Sequence, residues 1–335
     1  SKQASKQASK QASKQASNRF AGLDIAKGIG ILLVVIGHCI PDAASPAGIS
    51  SWNYYILHNI IYSFHMQLFF FIAGYLLSWE SIIRKKQTKT SVIIARAKRL
   101  LIPYFFVGLC YAPLKILFSR FANKPYDITN LWKIFIGVNP DGELWFLYAL
   151  FVIVVIAALC DFRINLPLLI ISAVLIFLPS GFPMVSNNLF YFFLGMYIRA
   201  NDSNLIVNIP RAGLYISLFM FCVGNYALTY LHFHQAGIIT AVSGIILTLE
   251  ISNKIADAKL SLTNTLETLG IFSMDIYILS DIVKIPFRIV LWNKFHLYTI
   301  SFLVCTIMAV GLSYCISKYL IRENKVLRKL VLGME

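Results

Sequence analysis

The sequence predicts an all-α, polytopic membrane protein of about ten helices with both termini on the cytoplasmic side. Three observations predict it. Hydrophobic residues make up 58% of the 335-residue chain and charged residues only 13%, with a mean hydropathy of +0.70; a soluble domain sits at roughly half apolar and a quarter charged. The apolar residues gather into runs of about 15–25, the helix length that crosses ~30 Å of hydrocarbon. The basic residues behind the net charge of +15 fall in clusters, as Lys and Arg do on the cytoplasmic side of membrane proteins.

The elements follow in order. Residues 1–17 read "SKQASKQASKQASKQAS", a four-residue repeat with no apolar face, expected to be disordered, and it lacks the apolar region of a signal peptide. The DNA tract AGCA read three times gives Ser-Lys-Gln-Ala, so a slipping tetranucleotide repeat would encode this tail; a synthetic linker is the alternative. Helices are expected at roughly 22–40, 58–79, 100–118, 143–160, 166–180, 187–200, 211–231, 236–252, 266–292 and 297–321. Pro286 interrupts the ninth. With the N-terminus inside, twenty-two basic residues fall on cytoplasmic segments against six on external ones, which sets the orientation. Residues 18–321 then form one membrane domain and 322–335 a basic cytoplasmic tail, too short for an appended soluble domain.

The basic clusters in the tail, "RKKQTKTSVIIARAKR" (84–99) and "KYLIRENKVLRK" (318–329) suit membrane lipid or a polyanionic substrate rather than nucleic acid. The six cysteines show no CxxC or zinc spacing; they read as small apolar residues, and no metal is expected.

"DIAKGIGILLVVIGH" (24–38) carries the first ionisable groups. At ~100° per residue Lys27 lies ~60° and His38 ~40° from Asp24, on one face, with a rise of about 21 Å from Asp24 to His38. Ionisable groups inside a membrane face a bundle interior or water-filled cavity, so this stripe should line one. Asp24–Lys27 at i, i+3 also suits a structural pair. His58, Tyr62 and His65 share a face of the second segment, where interfacial aromatics are equally expected. Arg96 and Arg99, one turn apart, suit bidentate phosphate binding or lipid-headgroup anchoring. Glu143 and Trp145 stand at the mouth of the fourth segment. Asp275, Asp281 and Lys284 interrupt the ninth, where Asp281 and Lys284 are expected to pair.

Together these stretches resemble the acyltransferase-3 membrane proteins, the family of bacterial O-antigen and exopolysaccharide O-acetyltransferases and fucose 4-O-acetylase-like proteins. The resemblance rests on "NRFAGLDIAKGIGILLVVIGH" (18–38), "YSFHMQLFFFIAGYLLS" (62–78), "RAKRLLIPY" (96–104), "LWFL" (144–147), "LFYFFLGMYI" (189–198) and "LGIFSMDIYIL" (269–279), in the family's order. It implies about ten spans and transfer of an acyl group, usually acetyl from cytoplasmic acetyl-CoA, to a sugar hydroxyl of a surface glycan (lipopolysaccharide, capsule or exopolysaccharide) or its lipid-linked precursor. His38 matches the family's essential first-helix histidine. Arg19, Asp24 and Lys27 match the polar positions before it, and Arg96 and Arg99 the RxxR pair, with Lys98 between them. Two departures stand out: Ser280 and Asp281 where the family often has His, and Glu143 where a His often precedes "LWFL". Members with an appended esterase-like domain are not matched.

The resemblance and the geometry give one expected mechanism. His38 is the base, with a covalent acetyl-His intermediate as the alternative, and Glu143, Asp42 or Asp24 is its acidic partner, Glu143 preferred. Arg96, Arg99, Lys98, Lys27 and Arg19 hold the donor, and Trp145, His65 and Tyr277 meet the acceptor. Slippage of the repeat would make expression phase-variable in a bacterial inner membrane. The competing class is a transporter or flippase for a glycan or glycolipid, which predicts paired, similar halves; no internal symmetry is evident between 18–160 and 187–320.

Overall fold

A computed structural model describes residues 2–40, 52–118, 126–202, 204–258 and 261–335, with backbone only for 2–20, 52–53 and 80. Among the described residues there is no strand. The helices are α1 (Lys2–Cys39), α2 (Trp52–Tyr62), α3 (His65–Leu76), α4 (Trp79–Arg84), α5 (Lys89–Leu117), α6 (Trp145–Leu159), α7 (Leu166–Leu175) and α8 (Pro183–Asn201). There follow α9 (Arg211–Tyr230), α10 (Gly237–Ala258), α11 (Ser261–Ile271), α12 (Ser273–Arg288), α13 (Tyr298–Ile316) and α14 (Lys325–Leu332).

The backbone of the repeat continues α1 where composition alone points to a disordered tail. Lys, Gln and Ala are good helix formers, and extending an existing helix needs no new nucleus.

Among the described residues, seven segments are long and apolar enough to cross a membrane: Ala21–Cys39, Tyr54–Leu76, Lys89–Leu117, Gly142–Leu159, Arg211–Tyr230, His234–Ala258 and Tyr298–Ile321. The other three expected spans fall on α7, α8 and α11–α12, which are helical but short, polar or broken. α7 has 10 residues, about 15 Å of rise. α8 opens with Ser186, Asn187 and Asn188, and α12 carries Asp275, Asp281, Lys284 and Arg288. Packing explains the difference for α12: its polar groups face protein, where partners replace what lipid cannot supply. Asp275, Tyr277, Ser280 and Lys284 are all buried.

α1 is the axis of the bundle. Of its span 61% is buried, against 17% for α9, and it contacts α2, α3, α10, α11, α12 and α13. Two glycines bring it against α11. A β-carbon at Gly28 would run into the Leu266 carbonyl, and one at Gly270 into the Asp24 carbonyl. Small residues let membrane helices meet backbone to backbone. α3 and α8 meet in the same way at Gly74 and Gly195. Between α2 and α3 the helix breaks at Ser63–Phe64. The Ile61 carbonyl at the break accepts from Nδ1 of His65 at 2.8 Å, as a carbonyl removed from water requires.

Candidate active site

His38 sits in the last turn of α1, where the helix's negative end favours a cation. Its Nε2 lies 2.8 Å from Oε2 of Glu143, with the imidazole 10% and the carboxylate 34% exposed. An ionised carboxylate only accepts, so Nε2 carries the proton and Nδ1 is left with a lone pair.

The turn that presents Glu143 is built from nested polar contacts. Gly137, at φ +89°, ends the 3₁₀ segment Ile128–Ile136 in a conformation few other residues adopt. Asn139 donates to the Tyr104 carbonyl at 2.8 Å and accepts from the Asp141 amide at 2.9 Å. Asp141 Oδ1 in turn accepts from the Glu143 amide at 3.1 Å. Gly108 on α5 makes room, since a side chain there would meet the Asn139 amide. From α12, the Tyr277 hydroxyl donates to the Glu143 carbonyl.

α12 also supports His38 directly. Lys284 Nζ pairs with Asp281 at 2.5 Å and donates to the His38 carbonyl at 3.3 Å. Asp281 Oδ2 accepts from the Tyr111 hydroxyl at 2.7 Å. On the other side, His38 and His65 flank the ring of Tyr62, at centroid distances of 6.4 and 4.8 Å, and His58 stacks on it at 3.9 Å.

A second constellation lies further back along α12. Asp275, with 0% exposure, accepts from Ser317 at 2.6 Å and from Arg322 Nε at 2.8 Å. Arg99 stands 3.8 Å from its other oxygen and also donates to the Leu332 carbonyl of α14. Arg322 lies over the Phe272 ring at 3.8 Å. Arg96, half-buried, has no acidic partner among the described residues. Two guanidiniums, Arg99 and Arg322, therefore share one carboxylate, and Arg96 stands one turn from Arg99 on α5 with its charge unpaired by any acid among the described residues, a surplus of positive charge suited to an anion. From Asp275 to Lys284 the helix rises about 14 Å, which separates this basic cluster from His38.

The structure thus joins some of the expected site residues and separates others. His38 and Glu143 meet. Asp24 does not reach them: it is about 21 Å down the same helix and pairs with Lys27 at 2.6 Å. Asp42 and the side chain of Arg19 lie outside the described residues. Lys98 turns to the surface and pairs with Glu335 at 2.5 Å, away from the Asp275 cluster. His65 is buried, 1% exposed, and caps a carbonyl. Tyr277 is spent on the Glu143 backbone. Trp145, partly buried, packs against Phe70 and Phe146, at centroid distances of 6.1 and 6.4 Å. Sequence reading missed Tyr111, Asp141, Ser317 and Arg322. Asp141 stands two residues before Glu143 in "PDGELW", the one local signal for it. Among the described residues no group of three or more His, Cys, Asp or Glu is placed to hold a metal.

A membrane protein with no strand among its described residues, a histidine–carboxylate pair inside the bundle and a guanidinium cluster about 14 Å away along α12 has the elements of a membrane group-transfer protein. Comparison with known families makes this specific: residues 20–318 match the acyltransferase-3 family, described as an acyltransferase domain, and the chain belongs to that family. It is 33% identical over 159 residues to the nodulation protein NolL of Mesorhizobium japonicum (strain LMG 29417 / CECT 9101 / MAFF 303099), a match covering 47% of this chain. The chain spans 40% of that relative's length. No solved structure matches it.

Proposed function

We propose that the protein is a membrane O-acetyltransferase that takes acetyl from cytoplasmic acetyl-CoA and places it on a sugar hydroxyl of a bacterial surface glycan. The observation that carries this reading is the His38–Glu143 contact of 2.8 Å. A sugar hydroxyl is a poor nucleophile until a base takes its proton, and a histidine held by a carboxylate is suited to that task. The hydroxyl oxygen bonds to the acetyl carbon as the carbon–sulfur bond breaks. The hydroxyl proton passes to Nδ1 of His38 and from there to the departing CoA thiolate, so protons and charge balance.

The basic cluster around Asp275 suits the donor's phosphates, with Arg96, Arg99 and Arg322 as its ligands and Lys27 lining the approach. The pantetheine arm then covers the ~14 Å of α12 that separate this mouth from His38. The clustered Lys and Arg support a cytoplasmic position for it and for both termini, with His38 toward the outer rim of a bacterial inner membrane. The tetrapeptide repeat supports phase-variable expression. Its coding DNA tests that point: mixed synonymous codons across the repeats exclude slippage.

The function is tested by mass analysis of surface polysaccharide from cells carrying the intact protein or His38→Ala, with membrane protein levels matched. The expected result is loss of one acetyl mass per modified sugar in the variant. Acetylation retained at the wild-type level excludes His38 as the base. Release of CoA by purified protein only when a glycan acceptor is present separates an enzyme from a transporter.

A further inference from the structure

Asp141 has a role that the His38–Glu143 reading leaves unfilled. Its side chain is 1% exposed. One oxygen accepts from the Glu143 amide, while the other, Oδ2, is buried with no hydrogen-bond partner among the described residues. A buried polar atom left so costs about 1–3 kcal/mol, and such an atom marks a strained, catalytic or water-bridged position.

The neighbours decide what form the carboxyl takes. Asp141 feels the charges of Glu143 in its own turn and of Asp281 and Lys284 on α12, while the Tyr111 hydroxyl is bonded to Asp281 and the Tyr277 hydroxyl to the Glu143 carbonyl. Lys115 of α5 is turned to the adjacent Pro140 carbonyl at 3.0 Å. Of the three acids, Asp281 has the Lys284 ammonium and the Tyr111 hydroxyl, and Glu143 has His38. Among the described residues Asp141 has no ion pair of its own and no donor on Oδ2. Carboxylates that share a dry site do not all ionise, and the one without a counter-ion keeps its proton.

We propose that Asp141 is held as a neutral carboxylic acid whose Oδ2–H is the hydrogen-bond donor for the acyl carbonyl oxygen. This deepens the acyl-transfer reading and rests on it. The neighbouring groups are otherwise engaged: the hydroxyl protons of Tyr277 and Tyr111 go to Glu143 and Asp281, and the Lys284 ammonium is held between Asp281 and the His38 carbonyl. Negative charge develops on the acyl oxygen as the hydroxyl attacks, and a pre-placed donor stabilises it. No bond to Asp141 forms or breaks; it lends a hydrogen bond while His38 carries the proton.

Two measurements on the full-length protein in lipid nanodiscs test this. Infrared spectra at neutral pH should show the carbonyl stretch of a protonated carboxyl, shifted by exchange into D2O and absent in Asp141→Asn. This arm needs no substrate, so it stands even if acyl transfer fails. In the second arm, acetyl transfer to the strain's own alkali-deacetylated polysaccharide is followed. Asp141→Asn, which keeps a neutral N–H donor, should hold kcat within about tenfold. Asp141→Leu should lose roughly 100-fold or more with the KM for acetyl-CoA unchanged. Absence of the protonated band, or an Asn variant as impaired as the Leu variant, overturns the proposal. If the band is present but the wild-type protein shows no transfer, the acyltransferase reading fails and the protonated state survives.

Discussion

Replacing Glu143 with Gln isolates the charge in the His38 pair. Gln is nearly isosteric, and its amide oxygen still accepts from Nε2–H of His38 across the 2.8 Å contact, so the tautomer and the free Nδ1 are kept. What disappears is the negative charge that stabilises the imidazolium formed as His38 takes the hydroxyl proton. A hydrogen bond to a charged group contributes about 1.5–3 kcal/mol against about 0.5–1.5 for a neutral one. The difference of about 1–1.5 kcal/mol corresponds to a fall in kcat of roughly 5- to 15-fold. The KM for acetyl-CoA should not move, because the site proposed for the donor's phosphates lies about 14 Å away along α12. The assay is steady-state acetyl transfer by protein in nanodiscs, with acetyl-CoA varied at saturating glycan. Glu143 acts through His38, so Glu143→Gln combined with His38→Ala should be no slower than His38→Ala alone. A further loss in the double variant, or an unchanged kcat in Glu143→Gln, refutes the base–orienter pairing.

Two shorter predictions concern the supports. Tyr277→Phe removes the donor to the Glu143 carbonyl and should lower kcat several-fold with no change in donor KM; an altered KM instead places Tyr277 in the donor path. Arg322→Met leaves Asp275, at 0% exposure, without its closest cation. It should destabilise the purified protein by about 3–5 kcal/mol, read as a lower thermal midpoint. Adding Asp275→Asn should recover most of that loss, and a failure to recover assigns Arg322 a role other than countering Asp275.

Much of this site was legible because membrane sequences penalise stray charge. In an apolar chain, Asp24, Lys27, His38, Glu143 and the Asp275–Lys284 group stand out, and the Asp281–Lys284 pair was readable from the cost of leaving an acid unpaired in a membrane. Helix existence was equally legible for the long apolar runs. Membrane crossing was not legible for 166–180, 187–200 and 266–292, since local hydropathy does not report whether a polar helix is shielded by its neighbours. Roles were harder to read than positions. His65, Trp145 and Tyr277 have the chemistry of substrate contacts, but the fold uses His65 on a broken helix, Trp145 in an aromatic cluster and Tyr277 on a backbone carbonyl. The loop carrying Asp141 was opaque for another reason: its hydrogen bonds run to Tyr104 and Glu143, and no periodicity encodes a turn folded back onto α5.

With Asp141 neutral, the cluster of Glu143, Asp281 and Lys284 holds one net negative charge until the imidazole takes a proton, after which it holds none. The site is thereby organised for the state formed during proton abstraction rather than for the resting one. The Asp281–Lys284 pair contributes nothing to this net charge, so removing both charges together should be tolerated where removing one is not. Lys284→Met strands Asp281 as a buried anion, 12% exposed at its side chain, at a cost of about 3–5 kcal/mol, and adds a second uncompensated negative charge beside Glu143. Lys284→Met with Asp281→Asn leaves only the Glu143 charge. It should restore expression and thermal stability, and kcat to within about tenfold of wild type, the residual loss reflecting the missing donor to the His38 carbonyl. A double variant that folds to wild-type stability yet transfers no acetyl shows that the Lys284 ammonium itself reaches the reacting atoms, and then the balance of charge around His38 is not what drives the step.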